Sequence, residues 1–434
     1  MRIKVPRFFT DMGAPHGHAP FLLGMLAGAF LFGGVGRLYI DAIVNPHEVV
    51  LPLPVRSLAV KPTTSPSPTV TPAVLGGETK RSGTAATAST PAAAPGIGSR
   101  FGLSLGDSLP GLSSAVLAKR LDDIKSLGVS WIRLDLDWND IQGDGAGQHN
   151  WGPFDNVVAA AGARGLHLLP ILTATAPWAR PDNCHDAYCP PADPAKFAVF
   201  AREATARYAP RGIHTWEIWN EENMASRWKP AADAGAYARL LGSTYPQIKQ
   251  VDPSATVITG GLASTDSSDG NVAQLSYLNA MYNASAQPYF DAVGYHPYSF
   301  PVPASYSAEW NAWSKMSLTG TSFRSIMAAH GDSGKKIWAT EYGATTGGPG
   351  AGATSTNYNL DAGPDHVDEA LQAIIAVDVV HVTAATSWLG GVFWYSYQDL
   401  GTDRGDTENF YGLLRADGSQ KPAYAAFKQA LGGH

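Results

Sequence analysis

The chain has 434 residues, of which 44% are hydrophobic and 16% charged, so it can build a large core and is not disordered throughout. At roughly 100–200 residues per domain it allows two or three units, or one α/β barrel with additions. A net charge of −6 argues against a generally basic nucleic-acid surface, and its only cysteines, Cys184 and Cys189, exclude a disulfide-rich scaffold or a four-cysteine zinc site.

Residues 1–20 carry Arg2, Lys4 and Arg7, and a mainly apolar run, FLLGMLAGAFLFGGVGRLYI, fills 21–40. About 20 helical residues rise ~30 Å, the thickness of a bilayer's hydrocarbon. The run therefore predicts a transmembrane signal-anchor. The basic tail would be cytoplasmic and everything after the run extracytoplasmic. Its one charge, Arg37, lies near the end, where it can snorkel. A cleaved signal peptide, giving a secreted protein, is the competing reading, although the run exceeds the usual core of roughly 7–15 residues. Residues 41–96 read as a Pro/Ser/Thr/Ala-rich linker, with VKPTTSPSPTVTPAVLGG followed by SGTAATASTPAAAP. Such a stretch buries too little apolar surface to fold and would act as a stalk.

Residues 97–434 read as one globular domain. β-rich runs recur at FGLSLG (Phe101–Gly106), WIRLDLDW (Trp131–Trp138), LHLLPILTA (Leu166–Ala174) and HTWEIWNE (His214–Glu221). They continue at ATVITGG (Ala255–Gly261), DAVGYHPY (Asp291–Tyr298), KIWATEYG (Lys336–Gly343) and GVFWYSYQD (Gly391–Asp399). Amphipathic helical patterns lie between them: SAVLAKRLDDIKSLG, FDNVVAAAGARG, DPAKFAVFAREATARYA, AGAYARLLGSTYPQIKQ, VDEALQAIIAVDVVHVTAA and AYAAFKQALGG. Strands alternating with helices at this spacing predict a (β/α)₈ TIM barrel. A doubly wound open sheet is the rival, but no G-x-G-x-x-G follows the first strand.

A barrel of this kind carries its active site at the C-terminal ends of the strands. The second strand ends in Asp135, Asp137 and Trp138, and the fourth in Asn220 and Glu221, with Glu222 next. The sixth ends in His296, Pro297 and Tyr298, the seventh reaches Glu341, and the eighth runs through Trp394 to Gln398 and Asp399. Two strand-end glutamates on one rim suit glycosidic hydrolysis, where one carboxyl protonates the leaving oxygen and a second, ionised, attacks or stabilises the anomeric carbon.

The run WEIWNEEN (Trp216–Asn223) resembles the clan A glycoside hydrolases, and IWATEYG (Ile337–Gly343) looks like their strand-seven nucleophile segment. VSWIRLDLDW, DAVGYHPY and FWYSYQD fit the same pattern, so the resemblance runs from about Phe101 to the C-terminus. Within the clan it leans toward family thirty-nine enzymes that process exopolysaccharide, with the cellulase-like family five close behind. The resemblance implies Glu221 as acid/base and Glu341 as nucleophile of a retaining β-glycosidase acting on a polysaccharide. It further implies that Asn220 bonds the sugar 2-hydroxyl, Arg133 holds the nucleophile, His296 lines the site and Trp394 floors the sugar pocket. Tyr298 and Trp138 complete the expected substrate-binding set. No cofactor or metal is implied.

Each assignment has a structural counterpart. A strand-end Glu is commonly a solvated charge. Glu222 is the rival to Glu221, but the motif puts the acid directly after Asn, which leaves Glu222 as a surface or supporting residue. Glu217, mid-strand, reads as a buried network partner. Trp151, Trp178 and Trp228 could stack on sugars or simply pack. Outside the cytoplasm Cys184 and Cys189 predict a short-loop disulfide, with His185 between them too isolated for a metal site. A transglycosylase on the same site, or a non-catalytic polysaccharide-binding or assembly protein on a degenerate barrel, remain the alternatives. The chain is expected to be a monomer.

Overall fold

The computed structural model describes residues 96–432. The expected tail (1–20) and signal-anchor (21–40), and the linker up to residue 95, lie outside the described residues. Among the described residues no helix is long and apolar enough to cross a membrane.

The strands are β1 (Phe101–Ser104), β2 (Trp131–Asp137), β3 (His167–Thr173), β4 (Thr215–Ile218), β5 (Thr256–Thr259), β6 (Ala292–His296), β7 (Lys336–Tyr342) and β8 (Leu389–Trp394). Every neighbouring pair is parallel, β1 bonds to both β2 and β8, and a β5–β6 pairing at Ile258 and Ala292 closes the ring. The helices α1 (Ser114–Ser126), α2 (Gly152–Gly162), α3 (Pro194–Tyr208), α4 (Ala234–Val251), α5 (Gln274–Asn283), α6 (Phe323–Ala329), α7 (Glu369–Ala384) and α8 (Pro422–Leu431) alternate with them. This is a closed (β/α)₈ barrel. The sequence patterns pointed to six of these helices and missed α5 and α6. α6 is only seven residues long, and its capping box is made by Ser322 and Ser325 rather than by the usual glutamate.

The barrel interior begins with an apolar floor. Leu169, Ile258, Ala292 and Phe393 form a buried cluster, with Trp131 and Trp338 packed against it. The two indoles meet edge to face at 5.7 Å, and Trp338 stacks on Phe393 at 6.2 Å. A methyl group at Gly390 would lie 2.1 Å from the Trp338 ring nitrogen, so glycine there makes room for the indole.

The β5–β6 seam is a close approach of two backbones. Gly260 and Gly261 interrupt β5, and pairing resumes at Leu262 and Ala263 against Tyr295 and His296. The Gly294 amide donates to Thr259 Oγ1 at 2.9 Å. A Cβ at Gly294 would sit 2.4 Å from the Thr259 carbonyl oxygen, a backbone atom that cannot swing aside. Gly294→Ala should therefore open the seam and lower stability by about 3 kcal/mol, at the upper end for overpacking. Urea denaturation of the full-length chain measures it, and a loss below about 1 kcal/mol would mean that the seam yields freely.

Candidate active site

The path from β4 into its loop is strained. Trp219 and Glu221 both adopt left-handed backbone, with φ of 72° and 54°, on either side of Asn220. Non-glycine residues in that region cost of order 1–3 kcal/mol each, so the surroundings must hold them. The Trp219 indole is buried against Trp228 and donates to the Arg227 carbonyl at 2.7 Å. The Glu221 amide donates to the Gly261 carbonyl at 3.1 Å. The double reversal sets Asn220 and Glu221 facing the barrel mouth.

Glu341 reaches the same mouth by a different device. Strict alternation along β7 would put Trp338 and Thr340 inside and Glu341 outside. In the pairing of β7 with β8, however, Ala339 aligns with Val392 and Tyr342 with Trp394. Two residues of β7, Thr340 and Glu341, thus oppose Phe393 alone. This one-residue bulge re-aims the side chains that follow. Glu341 turns to the mouth, and Tyr342 passes to the outer layer, where it meets Trp313 and Trp394.

Arg133, on β2 and 1% exposed, ties these strands together. It donates to Glu217 through Nε at 2.6 Å and Nη2 at 3.0 Å, and to Asn220 Oδ1 at 2.6 Å. It also donates to Ser104 Oγ at 2.9 Å and Glu341 Oε1 at 2.6 Å. Glu217 in turn accepts from the Gly261 amide at 3.0 Å. Burial alone would lower the pKa of Arg133, but Glu217 and Glu341 more than offset it, and the guanidinium stays charged.

The Tyr298 hydroxyl donates to the other Glu341 oxygen, Oε2, at 2.7 Å. His296 Nδ1 lies 3.1 Å from Glu221 Oε1 and 3.7 Å from Glu341 Oε2. These two sides bound the distance between those carboxylate oxygens at roughly 7 Å, a range that admits the ~5–5.5 Å carboxyl spacing of a retaining pair. Burial opposes ionisation of Glu341. His296, Arg133 and the Tyr298 hydroxyl outweigh it and hold the carboxyl below the usual glutamate range. Glu221 has Arg227 Nε 3.6 Å from its Oε2. Glu221, Glu341, Asn220, Arg133, His296 and Tyr298 thus converge on one mouth.

Two expectations are corrected. Trp394 does not floor the site. It is 1% exposed and lies between Tyr342 and Phe427 of α8, because Phe393 takes the interior position on β8 and alternation turns the next side chain outward. Trp138 is fully buried, stacked on Phe200 and edge-on to Trp178 and Phe197, with its ring nitrogen bonded to Gln142. Of the two places left open for Glu222, surface or supporting, it takes the second. It is completely buried, with Oε2 pressed against Gly260, and the nearby Tyr237 hydroxyl donates to the Ile218 carbonyl instead. Burial pushes its carboxyl well above the ordinary range, behind the strand and out of reach of the mouth. Of the other aromatics, Trp228 is buried, while Trp151 and Trp178 are half-buried. Cys184 and Cys189 are bonded to each other.

The loop after β8 supplies residues that the motifs did not mark. Tyr395 follows Trp394 and is half-buried, its hydroxyl 3.4 Å from Glu408 Oε2. The Tyr411 ring bridges it to Tyr298, with centroids 5.3 Å and 5.6 Å away. Burial, then Glu341 and Glu221, push the Glu408 carboxyl up to about 7. Burial, partly opposed by Arg133, raises Asp135 to about 6. Lys421 Nζ fixes this loop, donating to Asp399 at 2.7 Å, Thr346 at 2.8 Å and the Phe410 carbonyl at 2.9 Å.

Residues 109–378 match the model of the cellulase family, glycosyl hydrolase family 5. The chain belongs to that family. It is thereby a clan A glycoside hydrolase, as the motifs around Glu221 and Glu341 implied. Among solved structures, a family 39 glycoside hydrolase from Bacteroides cellulosilyticus superposes with a TM-score of 0.58 at 22% identity, over 76% of this chain and 63% of that one. A family 39 β-xylosidase from Caulobacter crescentus gives 0.52 at 19%, over 77% of this chain and 72% of the other. A family 5 enzyme from Streptomyces cattleya, in complex with GlcNAc, gives 0.53 at 16%, over 77% and 79%. At these identities the likeness concerns the fold. No curated protein matches the chain by sequence.

Two predictions follow from this clan A site's electrostatics. Arg133→Gln strands Glu217 and part of Glu341 as buried, uncompensated carboxylates. It should cost about 3–5 kcal/mol of stability, read by denaturant unfolding. An effect under about 1 kcal/mol would show that solvent replaces the guanidinium. Glu408 has a raised pKa, so folding penalises its ionised form. That penalty is absent below the ordinary glutamate pKa and grows as pH rises toward about 7. The melting temperature of Glu408→Gln relative to the parent should therefore rise from pH 5 to pH 8. A constant difference would remove Glu408 from the titrating set.

Proposed function

We propose that this domain hydrolyses β-glycosidic bonds in a polysaccharide by retaining double displacement, with Glu341 as nucleophile and Glu221 as acid/base. The observation that carries the reading is the pair of carboxylates sharing His296. One of them, Glu341, is held ionised by Arg133 and the Tyr298 hydroxyl. A nucleophile must be charged and aimed, and Glu341 has a donor on each oxygen. The acid must exchange protons with solvent and substrate, and Glu221 sits at the mouth with its side chain 18% exposed. Attack by Glu341 on the anomeric carbon, with proton donation by Glu221 to the leaving oxygen, gives a glycosyl-enzyme. Water, deprotonated by Glu221, then releases the sugar with its configuration retained. Asn220 is oriented by Arg133 to meet the 2-hydroxyl of the sugar in the site. We further propose that the apolar run 21–40 displays the barrel outside the cytoplasm, on the strength of its length and basic flank.

Azide separates the two roles. On a dinitrophenyl β-glycoside, whose leaving group needs no proton, Glu221→Ala should still be glycosylated and then stall. Azide should release it as the β-glycosyl azide. Glu341→Ala should give the α-azide, since azide enters the space left by the nucleophile. On unactivated substrates Glu221→Ala should lose about 10²–10⁴-fold in rate. Opposite anomers would exchange the assignments, and undiminished activity in either variant would remove that residue from the mechanism.

A further inference from the structure

The Glu221 carboxyl group is met from two sides. His296 Nδ1 faces its Oε1 at 3.1 Å, and Arg227 Nε faces its Oε2 at 3.6 Å. Arg227 lies farther along the loop that begins at Glu221. The Met224 amide donates to the Glu221 carbonyl at 2.8 Å, and the Arg227 amide to the Met224 carbonyl at 3.0 Å. The Arg227 carbonyl accepts the Trp219 indole N–H at 2.7 Å. The strained turn that aims Glu221 and the cation beside it are thus built as one unit. Burial opposes the charge of Arg227, whose side chain is 14% exposed. Tyr188, Glu221, Asp135 and Glu341 outweigh it and keep the guanidinium charged.

A covalently closed loop stands behind this cation. The guanidinium lies over the Tyr188 ring at 4.8 Å. Tyr188 immediately precedes Cys189, whose bond to Cys184 closes the segment after β3. Cys189 is completely buried, and its carbonyl accepts from Thr175 Oγ1 at 2.7 Å. The Thr175 amide donates to the Ala187 carbonyl at 2.8 Å. Hydrogen bonds also cross from this loop to the one after β4. The Lys229 amide donates to the Tyr188 carbonyl at 3.0 Å, and Lys229 Nζ to Asp186 at 2.6 Å. Tyr188 therefore presents its ring at a fixed place, against the cation that meets the acid.

Glu221 has two tasks that need opposite charge states. It gives a proton to the leaving oxygen, and it must be a carboxylate to take one from water. A cation within about 4 Å favours the carboxylate. We propose that Arg227 is a positioning residue for Glu221 that favours its carboxylate for the water-activating step, and that the disulfide-closed loop holds Arg227 there through Tyr188. The proposal rests on the acid/base reading of Glu221 and extends it to the control of sugar release. Other groups face the same pair. Asp135 on β2 and Glu341 on β7 act on Arg227, while Glu408 and Tyr411 from the loop after β8, and Glu222 behind the strand, interact with Glu221. Apart from His296 these neighbours of Glu221 are acids, so the bias toward the carboxylate comes from Arg227.

The test compares the full-length parent with Arg227→Gln on two kinds of substrate. With β-1,4-linked gluco-, xylo- and manno-oligosaccharides the acid must be protonated, so kcat/KM falls on the alkaline side. With dinitrophenyl β-glycosides of the same sugars, release of the sugar limits kcat. That step needs the carboxylate, so kcat falls on the acid side. Without the cation Glu221 keeps its proton to higher pH. Both limbs should therefore move upward in Arg227→Gln, by about one pH unit. Tyr188→Leu, and Cys184→Ser combined with Cys189→Ser, should move them the same way by less. Tyr188→Phe, which keeps the ring face, should lie nearer the parent than Tyr188→Leu. The position of a limb does not depend on how much enzyme is folded, so partial unfolding cannot imitate the shift. Limbs that stay in place in Arg227→Gln, or that move in opposite directions, would overturn the proposal. Parent-like limbs in the double cysteine variant would overturn the part given to the loop. An alkaline limb that survives in Glu221→Ala on the oligosaccharides would instead overturn the acid/base reading itself.

Discussion

A single guanidinium, placed just above the apolar floor of the barrel, has to find an acceptor for each of its donors. Arg133 meets Ser104 at the end of β1, Glu217 on β4, Asn220 beyond it and Glu341 on β7. Water cannot substitute at a group this buried, so the anions must be there if the cation is, and their geometry follows from the planar fork. Lysine could not replace it, because one ammonium cannot span four positions in fixed directions. The nucleophile and the amide beside the acid are thereby placed by a common reference. A shift of any of these strands would break a charged hydrogen bond in a poorly solvated place.

Against that rigid ring the acid is held by strain. Two left-handed residues bracket Asn220, and the Gly260–Gly261 break in β5 gives the turn somewhere to bond. The same break leaves His296 room: a Cβ at Gly261 would fall 2.1 Å from its Nε2. The glycine pair therefore serves both the β4 turn and the imidazole that stands between the two carboxylates. Such local strain persists because the packing of Trp219 and the ladder around it over-determine the turn.

The loops finish what the strands begin. Lys421 draws the segments after β7 and β8 together at the start of α8, and Glu408 and Tyr395 face the carboxylates from that side. On the other side the β5 and β6 loops line a recess with Phe300 and Trp310. A barrel with a fixed chemical centre and separately anchored loops can change which sugars it accepts without disturbing the acid and nucleophile.

The barrel was legible in the sequence because its strands are short apolar runs that recur between helical patterns, several of them ending in polar rim residues. Asn220-Glu221 and Glu341 stood out through motifs, and Glu217 as a buried network partner through its position in mid-strand, whereas its pairing with Arg133 came from the fold. The helices α5 and α6 were too short or too weakly patterned to register. Tertiary structure alone decided which way the aromatic and acidic residues point. Alternation along β7 would send Glu341 outward, and the bulge against β8 reverses it. On β8 the motif favoured Trp394, yet the register gives Trp394 to the helix layer and leaves Tyr395 at the mouth. Glu222 adjoins Glu221 in the chain but ends up behind the strand, because one left-handed residue sends consecutive side chains to different sides of the backbone. Sequence determined the residue types and their order around the ring. Direction depends on register, bulges and φ sign, which arise only when neighbouring strands hydrogen-bond to one another.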